Sequence, residues 1–176
     1  MSIQHLLRKW LYTLGRRMMK YRIVRFVAHY WSHIILGLLI VGYIGYFSFF
    51  TIMRYRTLYA HYFDLGIMQQ TVYNTFMAIK TGDYSRFLEM TNPQGYTQVK
   101  RMSVHNDILL AFLAPFYFLY SGPETLLVIQ SVVLGLGALI VYALGLHVFG
   151  KDTRARLIAV FFAFAYLMYP PLQRAN

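Results

Sequence analysis

Two short polar clusters carry the residues whose types and spacing could do chemistry. His61 and Asp64 lie in the sequence HYFDLGI, and His105 and Asp107 lie in the sequence SVHND. A carboxylate such as Asp64 could act as a general base, or orient a metal ion, for an acceptor hydroxyl that attacks a lipid-carried substrate. His105 and Asp107 could hold a phosphate-bound metal or a substrate hydroxyl. Both clusters are therefore candidates for parts of a transfer site.

Each cluster also has a purely structural interpretation. Asp64 could cap the helix that it opens by accepting backbone N–H groups of the first turn, although Ile67 at the third helical position leaves it without a capping box. Asp107 could cap a helix that begins at Ile108, beside an interfacial His105. Capping is the commoner task of an Asp at such positions, and neither cluster has the spacing of a metal site. Spacing alone therefore favours capping, and the metal stays unknown.

The composition indicates what kind of fold positions these clusters. The chain has 176 residues, of which 58% are hydrophobic, 18% aromatic and only 13% charged, and its mean hydropathy is +0.44. A soluble core cannot bury that much apolar surface, whereas a bilayer can. The sequence contains no cysteine, which excludes a disulfide framework, a thiolate zinc site and a cysteine nucleophile. We expect an all-α, polytopic membrane protein.

The basic charge of the chain points to membrane lipids as partners. The formal net charge is +11, and the cations flank apolar segments instead of alternating with stacking aromatics, so we expect no nucleic acid. Residues 1–30 contain Arg and Lys but no acid, with apolar residues at helical spacing. This predicts a basic amphipathic arm on the cytoplasmic membrane face. A targeting peptide is the alternative, but the arm has few serines and no small-residue cleavage site follows it.

Hydropathy and length divide the remaining sequence. Three apolar segments are expected to be transmembrane helices: TM1 at 32–53, TM2 at 124–149 and TM3 at 157–171. Four segments are expected outside the membrane core: a long external loop with a surface helix at 54–107, an interfacial or re-entrant segment at 108–120, a cytoplasmic turn at 150–156 and the start of another external loop at 172–176. Residues 108–120 are not expected to cross, because they contain Pro115 and reach only about 20 Å as a helix.

The short basic turn decides the orientation. Lys151, Arg154 and Arg156 should be cytoplasmic, because the positive-inside rule is most reliable for short loops beside spans. This holds only if residues 108–120 do not cross. The N-terminus is then cytoplasmic, and Asp64 and His105 lie on the outer face at the two ends of one loop. Since no hydrophilic domain follows TM3, we expect the chain to be the N-terminal part of a longer cell-membrane protein.

Several short motifs of this sequence match those of a known protein family, and their spacing makes a chance match improbable. They are FDLGI at 63–67 with Gln70, Asn74 and Gly82 downstream, His105 before Pro115-Phe116-Tyr117, the run 126–130 followed by Leu134-Gly135, and YPPLQRAN at 169–176. Over roughly residues 60–176 this pattern resembles a prokaryotic family of predicted multi-pass membrane proteins catalogued as a domain of unknown function. That family is similar in layout to the GT-C glycosyltransferases, which include protein mannosyltransferase-like and aminoarabinose-transferase-like enzymes.

The resemblance implies a GT-C-like N-terminal part and a polyprenyl-phosphate-sugar donor. In that superfamily an acidic residue of the first external loop is required for catalysis, and Asp64 occupies the matching position. The residues expected to bind substrate are His61, His105, Asp107, Gln70 and Asn74. The cofactor stays unknown, with a divalent cation as one option. Where many family members carry a further acid or a Trp, this chain has Met68, Gln69 and Tyr73.

A non-enzymatic membrane protein is the alternative function. The chain could be a transporter segment or a membrane assembly subunit, in which the polar clusters only cap helices. The expected spans contain no acid or base, which argues against a transporter because transporters place charged or broken helices near mid-membrane. If the chain is truncated, an enzyme would be inactive without the missing part.

Overall fold

The computed structural model describes Trp10 and residues 21–59 and 62–175. The elements are mostly helices, in this order along the chain: α1 (Arg22–Arg56), α2 (Tyr62–Thr81), the strands β1 (Glu89–Thr91) and β2 (Gln98–Lys100), a 3-10 helix at Ile108–Phe118, α3 (Glu124–Phe149), α4 (Thr153–Leu167) and α5 (Pro170–Ala175). The first twenty residues apart from Trp10, which make up most of the expected basic arm, and His61 lie outside the described residues.

Two of these helices are long and apolar enough to cross a membrane. They are Val24–Arg56, within α1, and α3. α1 begins well before residue 32, because the preceding apolar and basic residues continue the same helix. α4 has 15 residues, about 22 Å, and the chain leaves the helix before Pro170, as the residues preceding a proline disfavour the helical conformation. The third crossing over 157–171 therefore stays a prediction.

The chain divides into two compact units, of which the first comprises, among the described residues, Trp10, 21–41 and 137–169. In this unit α1, α3 and α4 pack through small and polar side chains. A Cβ added at Gly145 would lie 2.9 Å from the Cα of Ala159, so only glycine allows α3 to approach α4 this closely. The buried hydroxyl groups of Ser32 and Tyr142 join α1 to α3 by a 2.8 Å hydrogen bond.

The second unit comprises residues 42–136 and 170–176, and its centre is the contact between α2 and the 3-10 helix. The buried cluster at this contact consists of Val72, Phe76, Ala114, Tyr117 and Leu126. The other face of the 3-10 helix is apolar and exposed, with Leu109, Phe112 and Phe116. A helix with one face on protein and an exposed apolar face is typical of a segment at a membrane interface. The interfacial position of residues 108–120 stays a prediction that these contacts favour.

The β-hairpin of the second unit is the part of the fold that the all-α expectation missed. β1 and β2 pair antiparallel with Met90 opposite Val99. Asn92 organises the connecting loop, since its carbonyl accepts the Gly95 N–H and its side chain accepts the Gln94 N–H. Met90 is completely buried, whereas Tyr96 at the end of the hairpin is fully exposed. The hairpin therefore has one side to pack against the rest of the unit.

Tyr117 in the buried cluster gives a testable prediction. Its hydroxyl is buried and has no hydrogen-bond partner among the described residues, and burial, with the nearby Glu124 charge, raises the pKa of Tyr117 far above its usual 10. Because the folded pKa exceeds the unfolded one, ionisation of Tyr117 has no effect on stability well below pH 10 and lowers the free energy of unfolding as the pH rises above 10. Tyr117→Phe should raise the free energy of unfolding by about 1 kcal/mol at pH 7, because it removes an unsatisfied polar group.

Thermal unfolding in detergent at pH 7 and above pH 10 measures this effect. The stability advantage of Tyr117→Phe over wild type should widen at alkaline pH, while Tyr96→Phe at the exposed hairpin end should behave like wild type. A Tyr117→Phe protein that is clearly less stable than wild type at pH 7 would show that the hydroxyl is bonded.

Candidate functional site

Asp64 lies in the first turn of α2, the helix that follows the first membrane-spanning helix along the chain. α2 begins at Tyr62, so Asp64 is inside the helix and is not the residue that precedes it. The interpretation of Asp64 as the helix cap is therefore wrong. A negative charge in the first turn is still favourable there, because it faces the positive end of the helix dipole. The Asp64 side chain is exposed, so a substrate could reach it.

The other carboxylates show how unusual Asp64 is. Four of the six acids are engaged within the protein: Asp83 by Ser85, Asp107 by Arg101, Glu124 by Arg56 and Asp152 by the Ala155 N–H. For Asp83, the hydrogen bonds from the Ser85 hydroxyl and N–H lower the pKa of the carboxyl group. In the described parts of the chain, Asp64 and Glu89 have no such partner. Asp64 is thus one of two carboxylates that have no partner within the described residues.

Glu89 is the available carboxylate that sequence reasoning missed. It lies in β1, and its backbone carbonyl accepts a 2.9 Å hydrogen bond from the Asn74 side chain. Asn74 follows Asp64 by ten residues along α2, which corresponds to about 15 Å along the helix axis. Asp64 and Glu89 therefore do not form a catalytic pair of carboxylates. A single acid in a short polar segment gives no sequence pattern by which Glu89 could have been found.

Gln70 and Asn74, expected to bind substrate, hold the hairpin on α2. The Gln70 amide donates to the Thr91 hydroxyl and accepts the Thr91 N–H, both at 2.9 Å. Asn74 donates to the Glu89 carbonyl and accepts a weaker 3.4 Å hydrogen bond from Arg86. The next residue after Asn74, Thr75, accepts the Leu88 N–H at 3.0 Å with its hydroxyl oxygen. These amides have a structural task, and their expected role in substrate binding stays a prediction.

Asp107 is joined to a buried arginine. Arg101 is only 8% exposed, and its Nε and Nη2 atoms lie 2.7 and 2.5 Å from one carboxylate oxygen of Asp107. Asp107 occupies the N-cap position of the 3-10 helix, yet its side chain makes no capping bond. The capping interpretation of Asp107 is therefore wrong, because its carboxylate neutralises a guanidinium that packs against the Met90 sulfur. The six-residue spacing is not a helical one, so this pair could not be predicted from the sequence pattern.

His105 is the other exposed polar residue of the expected site. It lies between the buried Arg101 and Asp107, and its backbone N–H donates to the Arg101 carbonyl at 2.9 Å. Its imidazole is exposed to solvent. Over residues 21–59 and 62–175 the structure contains no group of three or more His, Cys, Asp or Glu that could hold a metal ion. We therefore consider the chemistry of the two exposed side chains, Asp64 and His105.

Comparison with known proteins assigns the family. No curated protein and no solved structure matches the chain. The profile of one protein family, described as "Predicted membrane protein (DUF2079)", matches residues 54–175, which include α2, the hairpin, α3 and α4. This confirms the expected relation to a membrane family of unknown function. With this match over more than half of its length and two helices able to cross a bilayer, the chain is an integral membrane protein of the DUF2079 family.

Proposed function

We propose that the chain is part of a GT-C-type glycosyltransferase that moves a sugar from a polyprenyl-phosphate donor to an acceptor at the outer face of the cell membrane. The observation that carries the proposal is Asp64, an exposed carboxylate without a partner among the described residues, in the first turn of the first helix after a membrane span. In the GT-C enzymes that the sequence resembles, the catalytic acid of the first external loop occupies the matching position.

The reaction is a substitution at the anomeric carbon of the sugar. The oxygen of the acceptor hydroxyl attacks that carbon, and Asp64 takes the hydroxyl proton as general base. A new glycosidic C–O bond forms while the bond between the anomeric carbon and the phosphate oxygen breaks. The polyprenyl phosphate leaves with the bonding electron pair. The chain's own contribution is therefore proton removal and the orientation of the two reactants.

His105 is proposed to bind the donor phosphate or the acceptor. Its imidazole is exposed, and its backbone is held by hydrogen bonds to the backbone of Arg101 and Asp107, whose side chains form an ion pair. His61, which precedes α2, is proposed for the same task from the sequence alone. Both histidines belong to the same loop as Asp64, so they would reach the substrate from the same side of the membrane.

The proposed topology has three crossings and a cytoplasmic N-terminus. The crossings are α1, α3 and the segment 157–171, and the basic turn between α3 and α4 faces the cytoplasm. The contacts of the 3-10 helix with α2 and its exposed apolar face support its position at the interface. The loop with Asp64 then faces the side on which polyprenyl-linked donors are used.

A transfer assay tests the proposal. Membranes containing the chain expressed from its complete gene are incubated with radiolabelled polyprenyl-phosphate mannose or polyprenyl-phosphate aminoarabinose. Release of polyprenyl phosphate together with label in an acceptor is the expected result. Membranes that contain the folded protein but give no release above membranes without it, for both donors, would contradict the proposal and favour the non-enzymatic alternative.

A further inference from the structure

An open apolar groove lies in the first unit, where the N-terminal half of α1 meets the beginning of α4. Its volume is about 600 Å³, and it is lined by Val24, Val27, Ala28 and Trp31 of α1 and by Thr153 of α4. The four α1 residues recur at positions i, i+3, i+4 and i+7, which places them on one face of the helix. The groove is large enough for part of a small hydrophobic ligand.

A half-buried arginine, Arg156, is bonded next to the residues that line this groove, although it is not one of the lining residues itself. Arg156 follows Thr153 by three residues, so both are on the same side of α4. Its Nη1 donates at 3.0 Å to the carbonyl of His29, the neighbour of Ala28, and its Nε donates at 3.1 Å to the Lys151 carbonyl. A guanidinium has five N–H donors, so these two bonds leave donors for another oxygen ligand.

The described residues supply no counter-charge for Arg156. The cations of the first unit within the described residues are Arg22, Arg25, Lys151, Arg154 and Arg156. The acid in the same set is Asp152, whose carboxylate accepts the Ala155 N–H at 2.8 Å as the cap of α4. No described carboxylate pairs with Arg156. An apolar groove beside an uncompensated guanidinium is complementary to a ligand with apolar chains and a negative headgroup.

We propose that this groove binds an anionic phospholipid. Acyl-chain and glycerol carbons would occupy the apolar face of α1, and the phosphate would accept hydrogen bonds from Arg156, which suits phosphate because its donors are planar and weakly hydrated. The charge excess favours an anionic headgroup over a zwitterionic one. A free phosphate ion would gain nothing from the groove. This lipid site is independent of the proposed transfer reaction, because neither Asp64 nor His105 belongs to it.

Quenching of Trp31 by brominated lipid tests the site directly. The sequence has two tryptophans, Trp10 and Trp31, so Trp10→Phe leaves Trp31 as the single fluorophore. In phosphatidylcholine vesicles, a minor fraction of phosphatidylglycerol brominated on its acyl chains should quench Trp31 more than the same fraction of brominated phosphatidylcholine. Arg156→Gln should lower this preference about fivefold, the factor expected for one lipid-facing cation. Arg154→Gln removes the same charge from an exposed position of the same turn and should retain the preference.

A second variant, which fills the groove, tests the proposal independently in case Arg156→Gln does not fold. Ala28→Phe changes no charge and should reduce quenching by the anionic lipid, with the thermal unfolding temperature close to that of wild type. Equal losses in Arg154→Gln and Arg156→Gln would show that surface charge alone attracts the lipid, and would overturn the proposal. So would unchanged quenching in Ala28→Phe, or full competition by soluble glycerol phosphate, which would mean that the groove plays no part.

Discussion

Asp64→Asn is expected to lower sugar transfer by roughly 10²–10⁴-fold, the usual contribution of a general base. The asparagine side chain has nearly the same size but cannot take a proton from the acceptor hydroxyl. Because Asp64 is exposed and has no partner among the described residues, its replacement removes no internal contact seen in the structure. The protein should therefore fold and enter the membrane in normal amounts. The rate of label transfer from polyprenyl-phosphate mannose or aminoarabinose, per amount of protein in the membrane, measures the effect.

Glu89→Gln is the matched control for this substitution. This substitution also changes an acid to its amide, and the Glu89 side chain, like that of Asp64, has no partner among the described residues. Both residues belong to the second unit. Transfer should stay close to the wild-type rate, because the Glu89 backbone is bonded to Asn74, which lies about 15 Å from Asp64 along α2. Wild-type transfer by Asp64→Asn would show that Asp64 is not the base. Equal losses in both variants would indicate a general effect of charge on this face.

Asp107→Ala is expected to destabilise the protein by about 3 kcal/mol. The substitution leaves the Arg101 guanidinium buried without its carboxylate, and breaking a buried ion pair from one side typically costs 3–5 kcal/mol. The lower end of that range applies here, because 36% of the Asp107 side chain is exposed and water can replace part of the lost interaction. Thermal or chemical unfolding in detergent micelles measures the change.

The double variant Arg101→Met with Asp107→Ala is the decisive control. It removes the buried charge together with its partner and places an apolar side chain beside Met90, so most of the lost stability should return. Asp83→Ala, which removes an exposed carboxylate that only organises the turn at Ser85, should have a much smaller effect. A double variant as unstable as Asp107→Ala would show that Asp107 supports the fold by a contact other than the ion pair.

The membrane-spanning part of the fold could be read from the sequence because lipid imposes a strong rule. A run of about twenty apolar residues is needed to cross, and the segments 32–53 and 124–149 satisfy it, as do the helices α1 and α3. The close approach at Gly145 likewise follows from a small residue within a span. By contrast, α4 ends at Leu167, shortly before Pro170 and within the predicted third crossing. The length of the apolar segment alone could not show where this helix ends.

The β-hairpin and the ion pair could not be read in the same way. Each strand has three residues, too few for an alternating pattern, and β1 is held by hydrogen bonds to α2 that span 15 and 21 residues of sequence. The ion pair of Asp107 with Arg101 likewise depends on tertiary structure, because Arg101 is buried against Met90 of β1. Asp64 is the easier case, because its position after a span and in a family motif marks it in the sequence.

Single-cysteine labelling gives the most direct test that the loop with Asp64 lies outside and the basic turn inside. The chain contains no cysteine, so Tyr96→Cys and Lys151→Cys each introduce one exposed thiol. With a membrane-impermeant maleimide on intact cells, position 96 should react at once, and position 151 only after the membrane is permeabilised. Labelling of both positions in intact cells would mean that residues 108–120 cross the membrane and would contradict the proposed topology.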